Sequence, residues 1–439
     1  MSQTLEKRIT NIFLKELTKK EVDSLETKKI LHSITTSLTN NPPEMGSGED
    51  FLLLLEAVDY YLGEEVAFQL LEVCLLQRHY FTLSLNAYLS QVSRFKYDAN
   101  IARKIAAYVQ HKASNSELQD VEWWMYCHAA YLNKEYDALS NVAAELRRRP
   151  KKYYQILNQY LMFDTHQLRV DPETSLYNNL MRSKWVPPGS EEKASTVPII
   201  GCDAKYFESF IAPKLAALTN HRVRLHLAIA DPSISIEVQL DHYKRLFPGL
   251  SYSTHFYAAP EFNDEYEMSA ERRTERRYTF YASLRFLVAS RLLEQQSATV
   301  YTLDADSSIN LDELPLLCHI IDKNIDRDIA LKQWHFDYAP GVSHEADFVV
   351  FRPTRVGIQF AKRLQSYLLT FLNSVHCYWT LDQVALNACK ISSEQQNSNF
   401  AIYNMYQLSD LIEPLHRNLG GLSVRGRKNS ELRNELLEK

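Results

Sequence analysis

Two aspartates, Asp304 and Asp306, directly follow the apolar run Thr299 to Leu303 in the segment ATVYTLDADSSINLDEL. The run has the length and composition of a buried strand, and ligands of open α/β sheets bind just beyond the carboxyl ends of strands. Two carboxylates one residue apart repel each other, and a divalent cation offsets that repulsion. Mg²⁺ or Mn²⁺ prefers such oxygen ligands and keeps open positions for phosphate oxygens. The spacing therefore predicts a metal site that serves a phosphorylated ligand.

A second pair with the same spacing, Asp326 and Asp328, has a different context. It follows the polar run DKNI and carries Arg327 between its acids. We interpret it as a solvated turn before the next strand, since a short pattern of this kind also occurs by chance.

The acid pair belongs to a C-terminal half in which short β-rich runs alternate with helical patterns. This alternation predicts an α/β domain with a mostly parallel sheet. The predicted strands are 197–202, 223–230, 250–257, 299–303, 329–334 and 347–351, and the predicted helices include 206–218, 236–247, 278–295 and 355–372.

The N-terminal half has a different texture, with apolar residues at helical spacing and few glycines or prolines between 49 and 186. It predicts a stack of antiparallel helices, and the stretch 124–139 resembles one tetratricopeptide-like (TPR-like) hairpin, without a clean 34-residue period. The segment SKWVPPGSEEKASTV has the composition of a linker. We therefore expect an all-α domain over 1–182, a linker over 183–197 and the α/β domain over 198–439.

Composition narrows the class of protein. The chain has 49 basic and 54 acidic residues and a net charge of −5, which argues against a general nucleic-acid or anionic-membrane binder. Its six scattered cysteines form no CxxC pair and suit a reducing compartment. The sequence shows no apolar signal segment and no run long enough to cross a bilayer. We expect a cytoplasmic protein with at most peripheral membrane contact.

Four stretches in order carry a resemblance to a known family. The helix-like YASLRFLVASRLLE followed by VYTLDADSSI is similar to the core of GT-A nucleotide-diphospho-sugar glycosyltransferases, most of all family-8-like bacterial enzymes. VPIIGCDAKYFESFIAPKLAAL resembles their first strand and helix, EADFVVFRP the strand after the metal site, and WTLDQVALN their "DQ-x-x-L-N" segment. The resemblance covers about 197–430. It implies an enzyme with a Rossmann-like GT-A fold that transfers a sugar, as hexosyltransferases do, from a UDP-linked donor to an acceptor hydroxyl.

The resemblance implies a nucleotide-binding role for several residues. Asp203 would lie beside the base and Tyr206 would stack on it, although Asp203 is also placed to cap the helix that follows. Arg285 would bind the nucleotide or orient the metal carboxylates, unless it is a surface arginine. Asp304 and Asp306 would hold Mn²⁺ or Mg²⁺ on the diphosphate, where the cation stabilises the leaving group.

The sugar pocket would be lined by Asp347, Asp382 and Gln383. An inverting enzyme would use one of these carboxylates as the base for the acceptor hydroxyl, whereas a retaining enzyme would place Gln383 or Asp382 by the anomeric carbon. Both mechanisms stay open. The other interpretation of Asp382 is a cap on the helix from Gln383 to Cys389.

The C-terminal segment HRNLGGLSVRGRKN carries three basic residues, Arg425, Arg427 and Lys428, which by resemblance would fold over the diphosphate. A solvated basic tail is the alternative. His416 is the nearest candidate for a third metal ligand, but its spacing does not fit the family pattern, so we leave it out of the predicted site.

Three functions remain to be separated. The first is a metal-dependent glycosyltransferase in polysaccharide, lipopolysaccharide or protein glycosylation. Its helical domain would bind the glycan or protein acceptor, a protein partner or a second copy of the chain. The second is a nucleotidyltransferase, which the turn Gly201 to Lys205 disfavours because it lacks a glycine-rich basic loop. The third is a non-catalytic interaction protein with a degenerate transferase domain.

Overall fold

The computed structural model describes residues 120–148, 154–166, 175–189, 195–260, 269–333, 339–412 and 415–417, with isolated positions between 29 and 70. The predicted N-terminal helices before residue 120 and the basic residues Arg425, Arg427 and Lys428 lie outside this range.

The chain divides into two compact units, Met1–Glu135 and Tyr136–Lys439. This division places residues 136–182, which we expected in the helical domain, with the sheet. Within the second unit, Arg147 pairs with Asp164 at 3.0 Å, and the backbone N–H of Asp164 donates to the Tyr367 hydroxyl. The predicted linker contains strand β1, Lys184–Val186.

The described helices begin at the end of the first unit and continue along the second, and most predicted helices are among them. They are α1 (Asp120–Leu132), α2 (Tyr136–Arg147), α3 (Tyr154–Met162), α4 (Ser175–Met181), α5 (Ala204–Tyr206), a π-helical segment (Phe207–Ile211), α6 (Ala212–Ala216), α7 (Ile234–Leu246), α8 (Ala270–Gln296), α9 (Leu314–Asn324), α10 (Arg355–Leu372), α11 (Leu381–Gln396) and α12 (Ser409–Ile412). Helices α1 and α2 cover the TPR-like stretch, and the boundary between the two units falls between them.

Helix starts are set by hydroxyl caps that the sequence supplies. Ser233, Ser269 and Thr354 accept hydrogen bonds from backbone N–H groups of the first turns of α7, α8 and α10. Helix α8 ends at Ser297, whose φ of 51° is left-handed and terminates the helix. The charged residues 270–277 supply the first turns of α8.

Eight strands form one sheet, in the order β1-β4-β3-β2-β5-β8-β7-β9. Those not yet bounded are β2 (Thr196–Asp203), β3 (Leu225–Ala230), β4 (Leu250–His255), β5 (Thr299–Asp304), β7 (Ile329–Gln333), β8 (His344–Phe351) and β9 (Tyr403–Asn404). A separate pair joins β6 (Ser308–Ile309) to β10 (His416–Arg417). The predicted α/β architecture is thereby confirmed for the sheet unit.

The sheet is mixed rather than mostly parallel. Strands β4, β3, β2 and β5 pair in parallel, but β8 runs antiparallel to both of its neighbours, β5 and β7. The local pattern could not show this, because residues 344–351 are buried in either direction.

Helices cover both faces of the sheet. Ile200 and Cys202 of β2 point into an apolar core shared with Phe207, Leu240 and Leu317. Gly201, between them, faces α8 on the other side, where an added Cβ would lie 2.8 Å from the backbone N of Arg285. The missing side chain therefore lets α8 approach the end of the central strand closely.

Among the helices of the described residues, none combines the length and the apolar character that crossing a bilayer requires.

Candidate functional site

The strand order turns at β2 and β5. From β2 the chain proceeds through β3 to β4 on one side, and it then returns to place β5 on the other side of β2. Such a switch point leaves a crevice at the carboxyl ends of the two central strands, where open α/β sheets bind ligands. Asp203 ends β2 and Asp304 ends β5, so both predicted acids flank this crevice.

Asp304 is held by an arginine from the face of α8. Arg285, with 4 % of its side chain exposed, pairs with Asp304 at 2.7 Å and with Asp382 at 3.5 Å. Its Nη2 also donates to the carbonyl of Ala346 at 3.0 Å. Protein groups thus enclose the guanidinium, which bridges the two carboxylates and holds them in position.

A lysine bridges two further carboxylates, as Arg285 bridges Asp304 and Asp382. Lys332 on β7 pairs with Asp347 at 2.7 Å and with Glu345 at 3.2 Å, and the Tyr406 hydroxyl donates to Glu345 at 2.9 Å. Four carboxylates, Asp304, Glu345, Asp347 and Asp382, thus share two cations. We call them the carboxylate cluster.

A β-bulge aims Asp347 into this cluster. Leu331 pairs with Val349 but Lys332 pairs with Glu345, so residues 346–348 of β8 have no partner on β7. Bulges redirect side chains beside binding sites. Here the bulge coincides with the Ala346 carbonyl that Arg285 binds and with Asp347, which is 3 % exposed. Among the residues that the structure describes, none forms a hydrogen bond to Asp347 Oδ1.

Burial and the neighbouring acids both act on the pKa of Asp304. Burial raises the pKa of this carboxyl to about 7, Arg285 opposes the shift, and Asp306, Asp347 and Asp382 add to it. Burial also raises the pKa of Asp382, again against Arg285. Buried carboxylates in excess of their cations are costly unless a proton or a further cation neutralises them.

Asp306 lies on the turn after β5, which a lysine from α6 fixes in place. Lys214 donates to the carbonyls of Ser307 (2.5 Å) and Ala305 (3.5 Å). Burial lowers the pKa of Lys214 to about 8, and the charge of Asp306 opposes the shift. The backbone of His416 pairs with Ile309, three residues beyond Asp306. The chain therefore returns towards the acid pair, although the sequence spacing of His416 does not fit the family pattern.

On the β2 side, Asp203 caps the helix that follows. Its Oδ1 accepts the backbone N–H of Tyr206 at 2.8 Å, as the capping alternative proposed. Tyr206 is 40 % exposed. Burial, followed by the charges of Asp306, Asp203 and Asp304, raises the pKa of the Tyr206 phenol, so its ring lies close to the acid pair.

Asp382 is in the first turn of α11, which begins at Leu381 after Thr380. It is 8 % exposed and faces Arg285, and its Oδ1 accepts the N–H of Gln383 at 2.9 Å. The helix therefore starts two residues before the predicted start. Gln383 is half-buried beside it. The other acid pair, Asp326 and Asp328, precedes β7, and Asp326 is exposed, as expected for a solvated turn.

Sequence reasoning missed three residues here. Lys332 and Lys214 gave no signal, since one lysine in a strand or helix is ordinary. Asp231 did give a signal, because it directly follows the buried strand β3, much as Asp304 closes β5. Its φ is 45°, and its carboxylate accepts the Tyr257 N–H and the Tyr281 hydroxyl, so it ties the loop after β4 to α8.

The donor chemistry of the site suits a hard divalent cation, because its groups are carboxylate oxygens and one buried oxygen of Asp347 is free. Within the described ranges, however, no three or more His, Cys, Asp or Glu side chains are grouped so as to hold a metal ion. Protein ligands alone therefore do not complete a coordination shell in this part of the chain.

No family model and no curated protein sequence matches the chain. Among solved structures it is similar to the bifunctional glycosyltransferase WbbM in its apo form, at 11 % identity and a TM-score of 0.30, over 46 % of this chain and 38 % of that one. It is similar to mouse xyloside xylosyltransferase 1 at 8 % identity and a TM-score of 0.27, over 48 % of this chain and 84 % of that one. It is also similar to the glycosyltransferase GlyE of Streptococcus pneumoniae TIGR4 at 14 % identity and a TM-score of 0.30, over 56 % of this chain and 64 % of that one. The match spans less than two thirds of WbbM and GlyE, and TM-scores this low define neither a fold nor an activity.

Proposed function

We propose that the chain is a metal-dependent GT-A glycosyltransferase that moves a sugar from a UDP-linked donor to an acceptor hydroxyl on a glycan or a protein. One observation carries the proposal. At the switch point of a doubly wound sheet, four carboxylates share two cations beside the acid pair, and Asp304 is left with a pKa of about 7.

A divalent cation would balance this surplus. Asp304 and Asp306 would hold Mn²⁺ or Mg²⁺, and oxygens of the donor diphosphate would complete the shell. The cation would supply Lewis-acid stabilisation of the departing diphosphate. A nucleoside diphosphate suits the place, because the crevice at a switch point binds nucleotides and the protein ligands leave positions open.

The remaining residues receive roles from their positions. Tyr206 would stack on the base at the end of β2, and Arg285 would hold Asp304 and Asp382 in place. Asp347, Asp382 and Gln383 would receive the sugar, whose hydroxyls need carboxylate and amide partners. Arg425, Arg427 and Lys428 would bind the diphosphate, as the family resemblance implies.

The test is release of UDP from UDP-glucose, UDP-galactose and UDP-N-acetylglucosamine with Mn²⁺. We expect turnover of at least one donor, its loss on chelation, and a loss of at least about 100-fold in Asp306→Ala. Asp326→Ala is the matched control, because it removes an exposed acid of the same spacing. If the parent releases no UDP from any donor, the alternative of a non-catalytic interaction protein replaces this proposal.

A further inference from the structure

An exposed indole lies next to the candidate site. Trp379 is 51 % exposed, and it precedes Asp382 by three residues, a span of at most about 11 Å. Tyr278 on α8 is 50 % exposed. Contiguous exposed apolar surface marks binding sites more often than a single side chain does, and an indole combines a large apolar face with a polar N–H.

The backbone that carries Trp379 is fixed by the first turns of α8. The Trp379 N–H donates to Glu275 at 3.1 Å, and Arg272 pairs with Glu275. Arg272 also donates to the Cys377 carbonyl at 2.8 Å and lies 3.9 Å from the ring centre of Tyr378. A ring on a fixed backbone loses little conformational entropy when a ligand stacks on it.

Glu275 places Tyr278 near Trp379. Glu275 accepts the Trp379 N–H, and Tyr278 is three residues further along α8, on the same face of the helix. Tyr206 follows the end of β2 and feels the charges of Asp304 and Asp306 as well as Tyr278. Trp379 and Tyr278 therefore lie on the side of the molecule that carries the candidate site.

We propose that Trp379 and Tyr278 form the acceptor platform and that the acceptor is a glycan whose pyranose ring stacks on the indole. The inference rests on the proposed function and names its acceptor class. A sugar suits the surface because its C–H faces match aromatic rings and its hydroxyls donate to carboxylates.

The platform is tested without any donor. Binding of cellobiose, maltose, lactose and N,N′-diacetylchitobiose to the full chain is measured by saturation-transfer NMR and calorimetry. We expect at least one disaccharide to bind and its affinity to fall at least about tenfold in Trp379→Ala but less in Trp379→Phe, which keeps a ring. Leu316→Ala is the matched control, because Leu316 is also 51 % exposed but lies on α9 and not on the segments that carry Trp379 and Tyr278. The inference is overturned if no disaccharide binds, or if Trp379→Ala binds as tightly as Leu316→Ala.

The outcome is separable from the proposed function. UDP release by the parent tests the transferase, whereas Trp379-dependent sugar binding tests the platform. Where transfer is measurable, Trp379→Ala is expected to raise the KM for the acceptor at least about tenfold and leave the KM for the donor within about twofold. An equal rise in both KM values contradicts the platform. Sugar binding without UDP release rejects the transferase alone.

Discussion

Two groups of buried polar side chains lie on the same sheet and differ in charge. The carboxylate cluster at the ends of β5 and β8 carries four acids on two cations. The second group, which we call the histidine–serine cluster, lies between β3 and β4 and consists of His226, Ser251, Ser253 and His255.

The histidine–serine cluster is neutral and almost fully hydrogen-bonded. His226 contacts Ser251 at 2.7 Å and Ser253 at 3.0 Å, and His255 contacts Ser253 at 2.9 Å. Burial lowers the pKa of both histidines to about 3. A neutral, satisfied group holds strands together, whereas a group with excess charge and a free buried oxygen is incomplete without a ligand. This difference in charge separates a structural cluster from a candidate site.

The largest effect is expected when the carboxylate cluster loses its central cation. Arg285→Met leaves Asp304 and Asp382 buried without their partner, which costs about 3–5 kcal/mol of unfolding free energy. We also expect donor turnover to fall at least about 1000-fold, measured beside urea denaturation. Arg285→Lys is the informative companion, since a single ammonium lacks the planar fork that reaches both acids. Full activity in Arg285→Met would show that the cluster does not need this cation.

The histidine–serine cluster is expected to respond to acid instead. The folded pKa of His226 is about 3 and its ordinary value is 6.5, so between these pH values the unfolded chain takes up a proton that the folded chain does not. The stabilisation is complete above pH 6.5 and falls by about 1.4 kcal/mol per pH unit below it, about 3 kcal/mol at pH 4.5. In His226→Gln the slope of the unfolding free energy against pH should decrease by about 1.4 kcal/mol per pH unit below pH 6.5. An unchanged slope would mean that His226 is not buried as a neutral ring.

A smaller loss is expected from Lys332→Met, which leaves Asp347 and Glu345 without their shared cation. We expect donor turnover to fall about 10- to 100-fold and the unfolding free energy by about 2 kcal/mol. Lys332→Arg should recover part of the turnover. Lys184→Met is the control, because its 3.7 Å pair with Glu237 is 46 % exposed on the lysine side and should contribute under about 1 kcal/mol. Equal losses in the two methionine variants would remove the distinction between cluster and surface pairs.

The smallest effect is expected from Gly201→Ala, which acts on the spacing between the sheet and α8. The new Cβ would lie 2.8 Å from the Arg285 backbone, so the helix must move and about 1–2 kcal/mol of stability is lost. Turnover should fall with it, because Arg285 moves relative to Asp304. In the Gly189→Ala control the added Cβ would lie 3.6 Å from its nearest atom, so this variant should melt within a degree or two of the parent. Thermal melting curves of both variants decide the comparison.

Local patterns in the sequence predicted much of the sheet unit. Strands β2 to β5 and β7 begin and end within a few residues of their predicted bounds, because short β-rich runs alternate with helical patterns in this half of the chain. The placement of Asp304 at the end of β5, with Asp306 two residues later, was predictable for the same reason. The stack of helices before residue 120 remains a prediction.

The partners of those acids were decided only by tertiary structure. Arg285 pairs with Asp304, which is 19 residues away in the sequence, and with Asp382, which is 97 residues away. Lys332 pairs with Asp347 at a bulge that no local sequence signal marks. The direction of β8 was hidden for the same reason, since both of its faces are buried. The sequence by itself determined which segments are buried and where charged residues end them. Which charges share a cation depends on how helix and strands pack together, because Coulomb energy depends on distance in space and not along the chain.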